Sequence, residues 1–461
     1  MGASMGDIEL STTFLLVIGS GLLVGGLITI WLLNNVSGAK WVVLAALLCI
    51  SCFDLPKLRD QEWQERIGHP MPIPPLQLLR THARLLTLIP LAVVSGYALA
   101  TIGNVRRVPV MHAVFLSVLA YQMILVAKMV YLNIGLKAIG YSMVFPLNYV
   151  VFCFGITAWM RSRSDVLWAA RSIGISVTIF FFLCAVQVPF SYIALFSHHM
   201  RFTGMTANAQ HAAVMMAITL PVVIHLSRRA DELSTLRLYW WTLTWVICFG
   251  IVLTASRTGA LMMIVSLGVM YRRYLQIILL SGLFMAIGML ILRSDDSGNP
   301  LEYYTSRGNT REGTWSSAFD DFSEEPLFGK TEYETGVMSF CENSWLAMAS
   351  TTGVIGLSVM LVALGIVVQR IRQLAMIPLS GDERDLQNLI VASMLSLFIG
   401  SIFEAFLLGA VVFPMFAAYT VLGMANWLVT LVRSRRTVHL SNSPRPPVVR
   451  STVMPLRRNI G

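Results

Sequence analysis

The stretch Met338–Leu357, MSFCENSWLAMASTTGVIGL, sets a short polar cluster directly against a long apolar run. The polar cluster is Cys341, Glu342, Asn343 and Ser344. The apolar run after it is long enough for a membrane-spanning helix, which needs about 20 predominantly apolar residues. The sequence therefore predicts that Glu342 lies at the mouth of a membrane helix.

Composition extends this prediction to the rest of the chain. Of its 461 residues, 56% are hydrophobic and 13% are charged, against about 25% charged residues in soluble domains. Only helices and closed barrels satisfy backbone groups in lipid, and the apolar runs are too long and too evenly apolar for barrel strands. The predicted fold is all-α, a polytopic bundle of about 12–13 membrane helices. The apolar runs lie near residues 13–33, 39–53, 84–103, 108–132, 141–160, 166–190, 208–227, 237–255, 257–271, 274–292, 344–369, 386–409 and 411–432.

The distribution of basic residues predicts how the bundle is oriented. The net charge of +10 resides in short loops and in the C-terminal tail, which is typical of cytoplasmic segments rather than of nucleic-acid binding. One membrane domain is predicted over residues 1–432, followed by a basic, disordered cytoplasmic tail over 433–461. The orientation of the N-terminal third stays open, because segment 54–83 is predicted to face outward yet carries basic residues. The predicted cytoplasmic sites are 161–163, 228–229, 272–273, 370–372 and 433–436.

A large outer loop is predicted over residues 293–343. It holds eleven of the 24 acidic residues but only four basic ones, and loops of this length are usually functional. A short amphipathic helix is predicted near 311–322. The acidic pairs of the loop favour a solvated surface over a cation site. His198 and His199 have no cysteine or acid nearby, so no metal site is predicted.

Two arginines are predicted to share the outer face with Glu342. Arg201 and Arg257 are separated by two helices, so both return to that face. The planar guanidinium of arginine matches phosphate oxygens and stays charged, which is suited to a lipid-linked diphosphate. We expect the two arginines to stabilise the leaving diphosphate and Glu342 to accept a proton from a sugar hydroxyl, provided that burial raises its pKa.

Several of these residues have a structural alternative. Glu342 is also placed as an acid that interacts with the dipole at the start of a helix, and Asn343 either orients the acceptor or caps that helix. Lys128 either extends toward the membrane surface or contacts substrate. Glu404, inside FIGSIFEAFLLG (398–409), is predicted to pair with a basic group of the bundle.

Four patches of the chain resemble the O-antigen ligase and O-antigen polymerase family of bacterial envelope proteins. The resemblance covers roughly residues 195–410. In that family an arginine and a glycine precede an asparagine-rich helix start, and a second arginine–glycine patch follows. The patches here are RFTGMTANAQHAA (201–213), SRTG (256–259), the loop segment with Arg311, Trp315 and PLFG (326–329), and ENSWLAMASTTGVIGL (342–357).

The resemblance implies a membrane glycosyltransferase that needs neither metal nor cofactor. It would move a saccharide from an undecaprenyl-diphosphate carrier to an acceptor saccharide or lipid, on the outer face of the bacterial inner membrane. Ligases of the family usually carry His where this chain has Glu342, so a polymerase fits at least as well. The alternative class is a transporter or flippase for lipid-linked oligosaccharides, although no internal repeat is visible. The implied residues are Arg201, Arg257 and Glu342 as catalytic, and Asn208, Arg307, Arg311 and Asn343 as substrate-binding.

Overall fold

The computed structural model describes a chain built from helices. Within the described part, 86% of the chain is helical and no β-strand is present. The described residues are 38–53, 69, 71–101, 109–132, 135–197, 200–206, 208–229, 234–272, 311–330, 342–379, 381–408 and 412–442.

Twelve longer helices are named here in chain order. A π-helical segment, Val150–Ile156, continues α4 toward Trp159, and short 3₁₀ turns follow α5 (Tyr192–Leu195) and α11 (Phe406–Leu408). The helices are α1 (Ala39–Ser51), α2 (Pro74–Thr101), α3 (His112–Tyr131), α4 (Gly135–Tyr149), α5 (Arg163–Ser191), α6 (Ala209–Arg229), α7 (Thr235–Leu253), α8 (Arg257–Met270), α9 (Arg311–Glu324), α10 (Ser344–Ala375), α11 (Gly381–Phe403) and α12 (Phe413–Asn442).

The lengths and composition of these helices define a multi-pass membrane protein. In the described part, eight helices are long and apolar enough to cross a membrane, or nine if the bent α2 is one span. Helices α1 and α8 are apolar but shorter. The predicted runs at 13–33 and 274–292 lie outside the described residues, as does the predicted outer loop apart from 311–330 and 342–343. The count of 12–13 helices stays a prediction.

Helix α6 forms the centre of the bundle. It packs against α5, α7, α8, α11 and α12, and nearly all its side chains from Ala209 to Ser227 are buried. Its sequence is apolar on every side, which is the pattern of a helix surrounded by other helices. Ala213 shows how close this packing is, because a Cβ built on Gly259 of α8 would lie 2.5 Å from the Ala213 Cβ.

Ion pairs between helix termini define one end of the bundle, which we call the inner end. Asp382, at the start of α11, pairs with Arg163 of α5 and Arg229 of α6. Arg228 pairs with Asp385 at 3.5 Å and donates to the Met270 carbonyl of α8 at 2.9 Å. The basic sites of α5, α6 and α8 therefore lie together, as the loop charges predict. From the positive-inside rule we expect this end to face the cytoplasm, and we call the opposite end the outer end.

Candidate functional site

Arg311 joins two carboxylates at the outer end of the bundle. Its Nε donates to Glu342 Oε2 at 2.8 Å, and its Nη2 donates to Glu404 Oε1 at 2.9 Å. Nη2 also donates to Thr258 Oγ1 at 3.1 Å, and that hydroxyl donates to Glu404 Oε1 at 3.3 Å. The side chains of Arg311, Glu342 and Glu404 are 17%, 23% and 13% exposed. We call these four residues the Arg311 cluster.

The cluster joins four segments that are distant in sequence. Arg311 begins α9, and Thr258 lies in the first turn of α8. Glu404 directly follows α11, and Glu342 stands two residues before α10. Because each side chain lies at or near a helix terminus, it reaches the cluster without crossing the apolar interior.

A tight connection between α7 and α8 places Thr258. Ala255 adopts φ +47°, a left-handed conformation that residues with a Cβ seldom adopt. Ser256 then caps α8, its Oγ accepting a bond from the Gly259 amide at 3.2 Å, as serine commonly does at this position. Arg257 is the first residue of α8, and its side chain is exposed. Arg257 therefore lies beside the cluster, next to Thr258.

The start of α10 is fixed to the end of α11 near Glu404. Ser344 Oγ donates to the Glu404 backbone carbonyl at 2.6 Å and accepts from the Leu407 amide at 3.3 Å. The ring of Phe403 lies 5.6 Å from the Arg311 guanidinium and 6.2 Å from the ring of Trp315. Aromatic contact of this kind holds a guanidinium in a defined plane.

Asn343 and Asn208 both cap helices. Asn343 Oδ1 accepts from the amides of Trp345 and Leu346 at 2.9 and 3.0 Å, at the start of α10. Asn208 Oδ1 accepts from the Gln210 amide at 2.8 Å, at the start of α6. Of the two roles predicted for Asn343, the structure gives the capping role.

Arg201 also lies at the outer end, where it caps α7. Its Nε donates to the Thr254 carbonyl at 2.8 Å, and the neighbouring Phe202 amide donates to the Leu253 carbonyl at 2.9 Å. These bonds satisfy carbonyl groups that a helix terminus leaves without partners. The positive charge of Arg201 also acts on Glu404, where it favours the ionised form.

The predicted site residues are thus brought together in part. Arg311 and Glu342 are in direct contact, and Arg201 and Arg257 lie at the same end of the bundle. That Arg201, Arg257 and Glu342 line one outward cavity stays a prediction, and the described ion-pair partner of Glu342 is Arg311. The predicted Arg307 lies outside the described residues.

Glu404 and Thr258 are the functional candidates that sequence reasoning did not assign to the site. The sequence indicated Glu404 because it is a lone acid in an apolar stretch. The basic partner that was predicted for it is Arg311. Thr258 gave no signal, since a threonine at the start of a helix is common. Both are identified through their contacts with Arg311.

The electrostatics of the cluster act most strongly on Glu404, which lies one residue beyond the α11 span. Burial raises the pKa of Glu404 to about 8. Arg311 opposes this increase in pKa, Glu342 adds to it, and the Thr258 hydroxyl and Arg201 oppose it more weakly. A carboxyl with this pKa exchanges its proton near neutral pH, as acid–base groups in active sites do.

A second polar arrangement, in the outer half of the bundle, closes a break in α10. Gly353 interrupts the helix with φ +63° and ψ −164°, and the PLFG segment packs into the break. The Val354 amide donates to the Pro326 carbonyl at 2.8 Å, and the Lys330 amide donates to the Ser350 carbonyl at 2.9 Å. The PLFG segment therefore supplies hydrogen bonds that the broken helix cannot make.

Lys128 of α3 completes this arrangement. Its Nζ donates to the Phe328 carbonyl at 3.0 Å and also to the Thr351 carbonyl. One ammonium group thus joins α3, the PLFG segment and the broken part of α10. Lys128, for which extension toward the membrane surface and substrate contact were the alternatives, has a structural role here.

These features define a class: a multi-pass helical membrane protein with an arginine–carboxylate cluster at its outer end. Within the described residues, no group of three or more His, Cys, Asp or Glu side chains is placed to hold a metal ion. Comparison with known proteins gives no closer assignment, since no protein-family model and no curated protein matches the chain.

Proposed function

We propose that the chain transfers or polymerises a saccharide carried on a polyprenyl diphosphate, at the outer face of the bacterial inner membrane. The observation that carries the proposal is the Arg311 cluster, which two further arginines, Arg201 and Arg257, accompany at the same end of the bundle. Three guanidinium groups at a membrane surface are suited to a ligand whose diphosphate lies at the headgroup level and whose tail lies in lipid.

The charges divide into two functions. Arg257 is exposed at the N-terminus of α8, where the helix dipole also favours an anion. Arg201 lies near the other end of the same short connection, at Thr254. These two arginines are assigned to the diphosphate. Arg311 is already bonded to both carboxylates, so it holds Glu342 and Glu404 in place.

The proposed step requires a base and a stabilised leaving group. The oxygen of an acceptor hydroxyl attacks the anomeric carbon, and the bond between that carbon and the diphosphate oxygen breaks. The bonding electron pair leaves with the diphosphate, whose charge the arginines stabilise. The hydroxyl proton passes to the Glu342 carboxylate, which Arg311 orients from 2.8 Å away.

The proposal is tested by binding and by activity. Purified protein in lipid nanodiscs is titrated with a synthetic prenyl-diphosphate-linked sugar, and polymer formation is followed in cells. Arg257→Ala should weaken binding about 10- to 100-fold, since a hydrogen bond to a charged group contributes about 1.5–3 kcal/mol. Arg370→Ala is the matched control, because Arg370 lies near the inner end of α10 and contacts Gln373. Equal binding by Arg257→Ala and the wild type would remove the proposal.

The flippase alternative is favoured by one feature, the break in α10, since transporters use discontinuous helices. Gly353 lies nine residues into α10, about 14 Å from its outer end at 1.5 Å per residue, and the chain's own PLFG segment occupies the break. The alternatives differ in where carrier-linked sugar accumulates in cells that lack the protein. Accumulation in the outer leaflet supports the transferase, and accumulation in the inner leaflet supports the flippase.

A further inference from the structure

Two carboxylates in the Arg311 cluster share one guanidinium. Glu342 and Glu404 both contact Arg311, and among the described residues no other basic side chain forms an ion pair with either of them. In the part of the chain that the structure describes, the two bonds that reach the Glu404 carboxyl, from Arg311 and Thr258, both end on Oε1. This arrangement leaves Oε2 as the oxygen that can carry a proton.

A proton on Glu404 changes the net charge of the site. Arg201, Arg257 and Arg311 contribute three positive charges, and two ionised carboxylates contribute two negative ones, a net charge of +1. With Glu404 neutral the net charge is +2. A diphosphate diester carries two negative charges, so the protonated site matches it and the ionised site does not.

The surroundings of Glu404 favour its neutral form. It is 13% exposed, and removing a carboxylate from water disfavours its ionised state. The groups that face it are Arg311 of α9, Glu342 before α10, Thr258 of α8 and Arg201 before α6. Burial outweighs the two arginines and, with Glu342, raises the pKa of Glu404 to about 8. An anionic ligand nearby would raise this pKa further.

We infer that the site binds a diphosphate together with one proton on Glu404, so that anion binding and protonation strengthen each other. This inference rests on the proposed function, because it takes the ligand to be a carrier diphosphate. The neutral carboxyl removes a negative charge that would repel the ligand. Glu404 is therefore assigned as a positioning residue, which sets the charge of the site, while Glu342 is the proton acceptor of the proposed step.

The test measures protons taken up on binding. The probe is a synthetic prenyl diphosphoryl sugar, a diester whose two charges do not change between pH 6 and 9. Calorimetric titrations in two buffers with different ionisation enthalpies give the proton count. For the wild type we expect constant affinity below pH 7, a fall approaching tenfold per pH unit above pH 8, and proton uptake in that range.

Two variants separate the roles of the carboxylates. Glu404→Gln should bind the probe with no pH dependence and no proton uptake. Glu342→Gln should keep the pH dependence but with its midpoint at lower pH, because the Glu342 charge contributes to the high pKa of Glu404. Proton uptake by Glu404→Gln equal to that of the wild type would overturn the inference.

A ligand-free measurement covers the case in which Glu404→Gln fails to fold. Infrared titration of the wild type and Glu342→Gln should show a protonated carboxyl band at pH 7 that disappears above pH 8, at lower pH in the variant. Absence of the band at pH 7 would contradict the inference. Binding that ignores pH overturns this inference alone, whereas absence of binding at every pH removes the proposed function as well.

Discussion

Arg311 is the residue on which the outer-end site depends. Its guanidinium contacts Glu342, Glu404 and Thr258 through two nitrogens, a geometry that the planar fork of arginine allows and the single ammonium of lysine does not. The resemblance found in the sequence indicated Arg311 as a candidate substrate-binding residue. The sequence did not indicate which residues Arg311 contacts, because Glu342 and Glu404 lie 31 and 93 residues away along the chain and the contacts depend on how the helix termini converge.

Arg311→Met should destabilise the protein by about 3 kcal/mol or less at pH 7, because it leaves the Glu342 carboxyl without its basic partner and Glu404 without a hydrogen-bond donor. The loss should grow at pH 9, because Glu404, whose pKa lies at about 8, is ionised there. Thermal unfolding in detergent at pH 7 and pH 9 measures the difference. Lys330→Met is the control, since Lys330 pairs with Asp321 elsewhere on α9. An equal loss at both pH values would argue against the assigned contacts.

Glu404 should make folding stability depend on pH. Its folded-state pKa of about 8 lies above the ordinary value of 4.5, so the folded protein retains a proton that the unfolded chain releases. Stability therefore falls as pH rises from about 4.5 to about 8, and it levels off above that range. Glu404→Gln lacks this pH dependence. Its melting temperature, relative to that of the wild type, should therefore increase as pH rises from about 4.5 to about 8. A constant difference would show that the carboxyl ionises normally.

At the scale of elements, the apolar pattern was sufficient to place the helices. Predicted runs such as 208–227 and 237–255 correspond to α6 (Ala209–Arg229) and α7 (Thr235–Leu253), because burial in lipid and protein requires continuous apolar helices. The predicted amphipathic helix near 311–322 is α9, Arg311–Glu324. The pattern did not predict the break in α10, since Gly353 lies inside a continuous apolar run and the PLFG segment that fills the break is distant in sequence.

Gly353→Ala tests the joint between α10 and the PLFG segment. A Cβ at Gly353 would lie 2.2 Å from the Leu327 carbonyl oxygen, at a positive φ that disfavours alanine. Gly365→Ala is a matched control in the same helix, because nothing lies within 4 Å of its added Cβ. We expect Gly353→Ala to lower the melting temperature and expose the PLFG segment to protease, with Gly365→Ala neutral or slightly stabilised. Equal melting temperatures and equal protease sensitivity of the two variants would contradict the packing of the PLFG segment against Gly353.

Lys128→Met probes the same joint from α3. The variant keeps the length of the side chain but removes the donor to the Phe328 and Thr351 carbonyls. Proteolysis at the PLFG segment should accelerate. Under conditions in which the variant remains folded, its affinity for the diphosphate probe should change less than twofold. A complete loss of probe binding in folded protein would instead assign Lys128 to the ligand site.

At the scale of the whole molecule, the described chain is a bundle with chemically different ends. The inner end holds the ion pairs of Asp382 and Asp385 with basic residues of α5 and α6, and the outer end holds the Arg311 cluster. The charge pattern of the loops predicted that the basic termini of α5 and α6 lie at one end of the bundle, and the orientation of that end in the membrane stays a prediction. It did not identify the site contacts, which arise from the packing of α8, α9, α10 and α11.

Cysteine labelling tests the orientation directly. On a background without the six native cysteines, Ser323→Cys in α9 should react with a membrane-impermeant maleimide in intact cells. Arg370→Cys in α10 should react only after permeabilisation. The reverse pattern would place the Arg311 cluster in the cytoplasm and exclude a carrier that is used on the outer face.

An experimental structure with a prenyl diphosphoryl sugar bound in a lipid nanodisc would show directly where the diphosphate binds. We predict that the diphosphate oxygens lie about 3 Å from the guanidinium groups of Arg201 and Arg257, with the sugar facing Glu342 and the prenyl chain in the bilayer. A diphosphate bound at the inner end, or at the outer end with no contact to these arginines, would exclude Arg201 and Arg257 as its binding residues.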